Sequence, residues 1–167
     1  TVIPLKGGSE LENEFISSGA KICDLRMHGT VLAQIRALRS TLPKEYHMLH
    51  AHLPQGELTS RFARNRKSVF LITRHFGGQF YPSKNSRLSG LLSRLATSRA
   101  EAIIAISDAV KMQLIANSEV KNIGKIEKIY YGFDCVEFKG NIGNGQKSQF
   151  IRSQNHIIIG TIARLSN

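Results

Sequence analysis

Hydrophobic and polar residues along the chain follow two alternating periods, one typical of strands and one of helices. Short apolar or alternating stretches predict β-strands at 1–5, 20–27, 47–53, 68–76, 102–107 and 125–131. Apolar residues at helical spacing fill the intervals and predict helices at 7–19, 30–42, 56–67, 86–99 and 108–117. Strands that alternate with helices through short connections are typical of a parallel sheet. We therefore predict an α/β fold, a Rossmann-like parallel sheet with helices on both faces.

One predicted helix, 86–99, carries a row of leucines beside basic residues. The row consists of Leu88, Leu91, Leu92 and Leu95. Because an apolar row on a helix usually packs onto the core, we expect these leucines to lie against the sheet. The alternative is that the row, with Arg87 and Arg94 alongside, contacts an anionic membrane surface.

The composition changes near the C-terminal end of the chain. Residues 139–155 are rich in Gly, Asn, Gln and Ser, which is typical of a linker. The apolar stretch that follows predicts one strand. We therefore predict a Rossmann-like domain at 1–138, a linker at 139–155, and the first strand of a truncated second domain at 156–167.

Basic residues dominate the charge of the 167-residue chain. Lysine and arginine number 23 against 12 acidic residues, a net charge of +11, and no acidic residue lies between Leu58 and Ala100. A surface of one sign attracts phosphate groups, whether on nucleotides, anionic lipids or nucleic acid. Aromatic residues do not alternate with the basic ones, which argues against a groove for single-stranded nucleic acid. The alternative is a plain solvated surface without a ligand.

The cysteines and the hydropathy of the sequence indicate in which cellular compartment the protein is located. The two cysteines, Cys23 and Cys135, are far apart and lack CxxC spacing, which argues against a zinc or disulfide framework and favours a reducing cytosol. The sequence has no apolar run long enough to span a membrane and no signal-peptide pattern at its start. We expect a cytoplasmic protein. Because the chain begins without Met and almost inside a strand, we also expect a fragment.

Three of the six histidines lie at the ends of two successive predicted strands. His50 and His52 are two residues apart, hence on the same side of one strand, and His75 ends the next. Ligands of open parallel sheets bind at the carboxyl ends of the strands, so we expect the three imidazoles to share one rim. Gly77 and Gly78 follow His75, and glycines let the backbone approach a ligand closely.

These polar positions are also compatible with different roles. An HxH pair at a strand end suits zinc, but the sequence supplies no further ligands, so we predict neither a metal nor a cofactor. His50 and His52 could instead be half-buried residues bonded to loop backbone. Either Ser107 or Asp108 could be a helix N-cap, and the backbone N–H groups there could also receive an anion. Arg164, near the end of the chain, could clamp phosphate oxygens in two-point fashion.

Five stretches, in order, resemble the family-4 glycosyltransferases, which have the GT-B fold. They are HAHLPQG (50–56), LITRH (71–75), AIIAISDAV (102–110), KIYYGFD (128–134) and IIIGTIARL (157–165). The family pattern is a His-x-His strand, strands that end in His and in Ser, an Asn-Gly-Ile-Asp-like turn, and a strand that ends in Gly-Arg-Leu. Tyr131 replaces the usual Asn of the turn, and Ala163 replaces the usual Gly before the arginine. The resemblance covers nearly the whole chain.

The resemblance implies a retaining, metal-independent transfer of sugar from a nucleotide-diphosphate sugar to a glycan or lipid-linked acceptor. Two Rossmann-like domains would face a cleft, the N-terminal one binding the acceptor and the C-terminal one the donor. By carry-over, His75 is the catalytic residue that contacts the transferred sugar, and Arg164 binds the donor diphosphate, whose charge grows in the transition state. The acceptor and sugar site would include His50, His52, Gly77, Gly78 and Ser107.

The resemblance also implies what this polypeptide lacks. The family's first strand with its glycine-rich loop, a lysine after the Gly-Arg-Leu motif and a later Glu-x7-Glu pair are missing. We therefore expect a chain truncated at both ends that has no transferase activity by itself. Many relatives work at membranes, which fits peripheral contact with anionic lipid at the inner face of the membrane. The alternatives are a GT-B nucleotide-sugar epimerase and a non-catalytic basic module that binds phosphate or nucleic acid.

Overall fold

The computed structural model describes residues 1–6, 10–26, 29–78, 80 and 86–132. The chain divides into two compact units, Thr1–Tyr131 and Gly132–Asn167, and nearly all described residues belong to the first. The predicted linker at 139–155 and the predicted strand at 156–167 lie outside the described residues. The domain division proposed from the sequence therefore stays a prediction.

The described part of the chain forms helices and strands in the order that the hydrophobic pattern predicts from residue 30 onward. Its strands are β1 (Met48–His52), β2 (Val69–Arg74), β3 (Ala102–Ala105) and β4 (Ile126–Lys128). Its α-helices are α1 (Glu12–Ser17), α2 (Val31–Thr41), α3 (Leu53–Ala63), α4 (Ser86–Thr97) and α5 (Asp108–Ala116), with a short 3₁₀ helix at Ile123–Lys125. Among the described residues, no helix is long and apolar enough to cross a lipid bilayer.

The four strands form one parallel sheet in the order β1-β2-β3-β4. The register pairs His52 with Thr73 and Arg74 with Ala105, so successive strands end at the same edge. Helices connect the strands, because parallel neighbours need a crossover that returns the chain to the starting edge. This arrangement confirms the predicted α/β, Rossmann-like fold.

The main core lies along the two inner strands, β2 and β3. Phe70, Ile72 and Ile103 are fully buried, and Val110 and Leu114 of α5 pack in the same cluster. Burying one such side chain stabilises the fold by about 1.5–3 kcal/mol. The apolar run in the sequence of β2 follows from this position, since an inner strand of a parallel sheet is covered on both faces.

The two predicted N-terminal strands are reduced to one parallel bridge between Val2 and Ile22. The N–H of Cys23 donates to the carbonyl of Val2 at 2.9 Å, and the N–H of Leu25 donates to the carbonyl of Pro4 at 3.0 Å. Pro4 has no N–H to donate in return, so the ladder cannot continue in full. The strands predicted here were therefore too long.

Helix α3 begins directly after β1, three residues earlier than the sequence pattern predicts. Pro54 lies in its first turn, where an N–H would have no helical acceptor and its absence costs nothing. The sequence pattern predicted a loop between strand and helix at this proline. The structure instead joins β1 to α3 without any intervening residue.

Helix α4 packs with its small residues inward and most of its leucine row outward. Leu88, Leu91 and Leu95 are 47%, 57% and 37% exposed, whereas Ser93 is fully buried. Leu92, the fourth leucine, is half-buried against a small apolar cluster. The expectation that the whole row belongs to the core is therefore wrong for three of its four residues, because the inward side of α4 carries buried Ser and Thr residues beside that cluster.

Candidate functional site

Polar side chains line the edge of the sheet at which the strands end. His52 is the last residue of β1, His75 follows β2, and Ser107 lies two residues beyond β3. Because the strands are parallel and in register, these positions lie along one edge. In open parallel sheets, ligands bind at this edge.

The imidazoles of His50, His52 and His75 come together there. Nδ1 of His52 lies 2.9 Å from Nε2 of His75, and the ring centroids of His50 and His52 are 4.3 Å apart. On the other side of His75, Nδ1 is hydrogen-bonded to the hydroxyl of Tyr131, and the two rings stack with centroids 6.0 Å apart. The three histidines thus share one rim of the sheet.

His50 has a partner of its own within the sheet. Its Nε2 lies 2.8 Å from the hydroxyl oxygen of Thr73 on the neighbouring strand. This is the arrangement of a satisfied polar side chain, although the partner is a side chain of β2 and not loop backbone. Of the three histidines, His52 and His75 are the ones bonded to each other.

Partial burial lowers the pKa of all three imidazoles. Burial, with the neighbouring His50 and His75, lowers the pKa of His52 to about 4. Burial and then His75 lower the pKa of His50, and burial alone lowers that of His75. All three are therefore neutral near pH 7, and a neutral imidazole donates through one nitrogen and accepts through the other. The His52–His75 bond needs no charged partner.

The described residues do not form a metal centre at this rim. Within the ranges the structure describes, no group of three or more His, Cys, Asp or Glu side chains is arranged to hold a metal ion. Nε2 of His50 is hydrogen-bonded to Thr73, and Nδ1 of His52 is hydrogen-bonded to His75. The described geometry thus gives no support to zinc binding by the HxH pair.

The backbone turns sharply directly after His52. Leu53 has a φ of 64°, a left-handed conformation that costs an L-residue roughly 1–2 kcal/mol. Its side chain is 53% exposed, so burial does not compensate. Strain of this kind persists where the surrounding structure enforces it, and it clusters at functional sites. Here it allows α3 to begin at the residue after the rim histidine.

Gly77 and Gly78 differ in their surroundings. A Cβ on Gly77 would lie 2.0 Å from Oε1 of Gln113, whereas one on Gly78 would meet only the Phe76 ring at 3.6 Å. Gly77 therefore does permit a close approach, as its type predicts, but the group that approaches is a side chain of α5. Both glycines lie immediately after His75 at the rim.

Ser107 is the N-cap of α5. Its hydroxyl accepts a hydrogen bond from the N–H of Val110 at 3.2 Å, which satisfies one of the free donors of the first turn. Asp108, the next residue, accepts hydrogen bonds from Nζ of Lys128 at 2.9 Å and from the hydroxyl of Tyr130 at 2.6 Å. The capping role of Ser107 is therefore confirmed, and its proposed contact to a sugar would be additional.

A buried ionic cluster behind the rim was not predicted from the sequence. Arg74, the residue before His75, is 5% exposed and Glu57 is fully buried. Nε of Arg74 lies 2.9 Å from Oε2 of Glu57, and Nη1 lies 2.8 Å from Oε2 of Glu119. Ser93 of α4 accepts from Nη2 of Arg74 at 2.8 Å and donates to Glu119. One cation and two carboxylates are thus enclosed together.

This cluster accounts for the orientation of α4. The hydroxyls of Ser93 and Thr97 bond to Arg74 and to the carbonyl of Glu119, the latter at 2.8 Å. A buried charge without hydrogen-bonding partners is costly, so the polar side of α4 faces inward. The sequence feature that could have indicated this cluster is Arg74, a charged residue inside the apolar run of β2.

Two basic residues of the acid-free stretch do not belong to an open positive surface. Arg74 lies inside the cluster, and the side chain of Arg64 is 8% exposed, 3.2 Å from Glu101.

Tyr131 also lies at the rim, and the sequence pattern assigned it no role there. Arg164, the predicted diphosphate ligand, lies outside the described residues.

Comparison with known proteins bears on this α/β domain as a whole. No curated protein matched the sequence. A family model described as Glycosyltransferase Family 4 matches residues 1–137, which includes the described sheet and its histidine rim. The match extends over most of the chain, and its fold is the parallel α/β fold of one half of a GT-B enzyme. The chain therefore belongs to glycosyltransferase family 4.

Proposed function

We propose that this chain forms the acceptor-side domain of a retaining glycosyltransferase that uses a nucleotide-diphosphate sugar and a glycan or lipid-linked acceptor. Family membership supports the transferase class over an epimerase or a non-catalytic module. The observation that carries the proposal is the hydrogen-bonded pair of His52 and His75 at the carboxyl edge of the sheet, and burial lowers the pKa of both, which favours their neutral forms. Neutral imidazoles can donate to or accept from sugar hydroxyls without a strong electrostatic cost.

Each proposed site residue has a role that fits its position. His75 contacts the transferred sugar and aligns the acceptor, and His52 and His50 continue that polar surface along the rim. Gly77 and Gly78 add no side chain of their own after His75, although Gln113 occupies the space beside Gly77, and Ser107 lies on the same edge at the start of α5. Arg164 is proposed to neutralise the donor diphosphate as it leaves. The reaction requires no metal or organic cofactor from this domain.

Acceptor binding tests the proposal directly. The side-chain ¹⁵N signals of the histidines are recorded while glycan and lipid-linked acceptors are added to the chain. We expect an acceptor of the right class to move the His52 and His75 signals, and His75→Ala to weaken binding at least tenfold. The matched control is His47→Ala, since His47 precedes β1 and lies away from the carboxyl edge.

Two outcomes would contradict the proposal. One is the failure of every acceptor to perturb the rim histidines. The other is salt-dependent binding of random DNA by a chain that binds no acceptor, which would favour the basic binding module. A radiolabelled-sugar assay on the chain alone is a separate test. We expect it to show no turnover, and turnover would contradict that expectation.

We propose, second, that the outer face of α4 contacts an anionic membrane on the cytoplasmic side. Leu88, Leu91 and Leu95 are exposed along this helix, and the surrounding stretch from Leu58 to Ala100 has no acidic residue. An apolar row beside basic side chains suits the interface of anionic lipid bilayers.

Vesicle sedimentation tests the membrane contact. The chain should pellet with phosphatidylglycerol-containing vesicles at low salt and not with pure phosphatidylcholine. Leu91→Ser should reduce pelleting severalfold. Leu32→Ser is the control, because Leu32 is 58% exposed on α2, a different helix. Absence of pelleting with anionic vesicles, or equal loss in both variants, would remove this proposal.

A further inference from the structure

Tyr131 approaches His75 from two strands away. It follows β4, which is separated from β2 by β3 in the sheet order, and the two residues are 56 positions apart in sequence. The phenol ring stacks on the imidazole with an interplanar angle of 24°, and its hydroxyl bonds to Nδ1 of His75. Tyr131 is 63% exposed, so the core does not account for its position.

The hydrogen bonds of Tyr131, His75 and His52 form a continuous chain. A phenol hydroxyl is a good donor, and a neutral imidazole offers one acceptor nitrogen. If the hydroxyl donates to Nδ1 of His75, the proton of that ring is at Nε2. This N–H then donates to Nδ1 of His52, 2.9 Å away. The proton of His52 must in turn be at Nε2, where the described residues provide no hydrogen-bond partner.

We propose that Tyr131 is a positioning residue for His75: its hydroxyl holds Nδ1, fixes the ring between phenol and His52, and sets the Nε2–H tautomer in both imidazoles. The inference rests on the proposed function for its purpose, because a fixed donor pattern at the rim determines which sugar oxygens can be recognised. The contacts of Tyr131 with His75 and of His75 with His52 do not depend on that function. In the unliganded chain the Nε2–H of His52 is left to meet a ligand, and a sugar oxygen that contacts His75 would replace His52 as the acceptor of the Nε2–H of His75.

The neighbouring tyrosine provides a matched control. Tyr130 is similarly exposed at 59%, and its hydroxyl donates to Asp108 at 2.6 Å rather than to an imidazole. Replacing either tyrosine by phenylalanine keeps the ring and removes one oxygen. Because both rings are exposed, neither replacement should change the urea midpoint of unfolding.

The test is the tautomer of His75 in the unliganded chain. Long-range ¹H–¹⁵N correlation distinguishes a protonated from an unprotonated ring nitrogen, and the His75→Gln spectrum assigns the signals. We expect the wild-type chain to show Nε2 protonated and Nδ1 unprotonated in His75. In Tyr131→Phe the two ¹⁵N shifts should move towards each other as the tautomers mix, whereas Tyr130→Phe should leave them unchanged.

A second variant separates the influence of Tyr131 from that of His52. In His52→Ala the tyrosine contact remains, so His75 should keep the Nε2–H tautomer. The proposal is overturned if His75 is protonated at Nδ1 in the wild type, if Tyr131→Phe leaves its shifts unchanged, or if His52→Ala alone mixes the tautomers. No substrate takes part in these measurements, so a failed acceptor-binding test leaves this result intact, and the converse also holds.

Discussion

At the residue scale, the rim depends on side chains whose chemistry is set by contacts a few ångströms away. His50, His52 and His75 have the same side chain but different partners: Thr73, His75 and Tyr131. Their position at strand ends could be predicted from the sequence. The partners could not, because Thr73 and Tyr131 reach the histidines through pairing and stacking between distant segments.

The pKa of His52 gives the first prediction. Its folded-state value of about 4 lies below the usual 6.5, so the folded chain binds fewer protons there. The stability linked to this group is fully present above pH 6.5 and is lost as the pH falls through 4. A histidine NMR titration should place the His52 midpoint near 4 in the folded chain.

The control for this titration is the same chain in concentrated urea. Unfolding removes the burial that lowers the pKa of His50, His52 and His75, so the midpoints of these three should return to about 6.5. A folded-state midpoint near 6.5 for His52 would contradict the lowering of its pKa by partial burial and the neighbouring His50 and His75.

Backbone strain at Leu53 leads to a second prediction. Leu53→Gly should raise the free energy of unfolding by about 1 kcal/mol, since glycine adopts positive φ without the steric cost of Cβ. Leu91→Gly is the control, because Leu91 is similarly exposed but lies inside α4, where glycine costs about 1 kcal/mol. Urea denaturation of both variants measures the contrast. Equal destabilisation would show that Leu53 is unstrained.

At the element scale, α4 shows how a buried charge can reverse the expected face of a helix. Its leucines at helical spacing predicted a core-facing row, yet Ser93 and Thr97 face inward to bond with Arg74 and Glu119. Apolar spacing measures the amphipathicity of a helix but not the polarity of what lies beneath it. Only the position of Arg74 at the end of β2 decided which side of α4 turns inward.

A pair of alanine substitutions tests this orientation. Leu91→Ala should change the free energy of unfolding by less than about 0.5 kcal/mol, as is usual at exposed positions. Leu92→Ala should cost about 1–2 kcal/mol, because Leu92 packs against the apolar cluster that contains Leu58 and Phe80. The comparison requires only urea titrations of adjacent leucines. The opposite ranking would mean that the leucine row packs inward after all.

The buried cluster of Arg74 and its two carboxylates supplies a further prediction at this scale. Arg74→Met leaves Glu57 and Glu119 buried without their cation, which should cost about 3–5 kcal/mol at pH 7. Lowering the pH to about 5 should recover part of this loss, because burial raises the pKa of Glu57 and its protonation removes one of the two uncompensated charges. Thermal unfolding at both pH values measures the effect, and a loss independent of pH would contradict it.

Glu57→Gln is the matched variant for this cluster. Burial is the main cause that raises the pKa of Glu57 to about 7, against the lowering effect of Arg74. The raised value means that the stability linked to Glu57 is fully present below 4.5 and is lost as the pH rises through 7. The amide removes this titration, so the variant should lose less stability than the wild type between pH 5 and 8.

At the scale of the whole molecule, one sign of charge prevails. The net charge of +11 attracts anionic partners but also repels itself within the compact state. Inside the fold Arg64 and Arg74 pair with acidic side chains, so the excess positive charge is carried by other basic residues. The membrane proposal rests in part on this excess, because a surface of one sign attracts phosphate groups.

Salt should therefore stabilise the chain. Raising the ionic strength from about 0.01 M to about 0.15 M shortens the screening length from roughly 30 Å to 8 Å and should raise the Tm. Lys67→Glu should raise the Tm at low salt and reduce this dependence, and Lys67→Gln should give an intermediate result, because Lys67 is exposed within the acid-free stretch. A Tm that falls with added salt would show that attractive ion pairs outweigh the net repulsion.

The sequence alone determined the fold class, the order of strands and helices from residue 30 onward, and the histidines at the ends of two neighbouring strands. These features follow from local periodicity and from the rule that parallel strands end at one edge. The same information indicated the family through motifs in the right order.

The tertiary structure alone decided which groups touch. It joined His52 to His75 and Tyr131, enclosed Arg74 with Glu57 and Glu119, and turned three leucines of α4 outward. These contacts link residues that are 17 to 56 positions apart in the chain. Hydrogen bonds and buried charges depend on distances between such segments, and a linear pattern does not contain those distances.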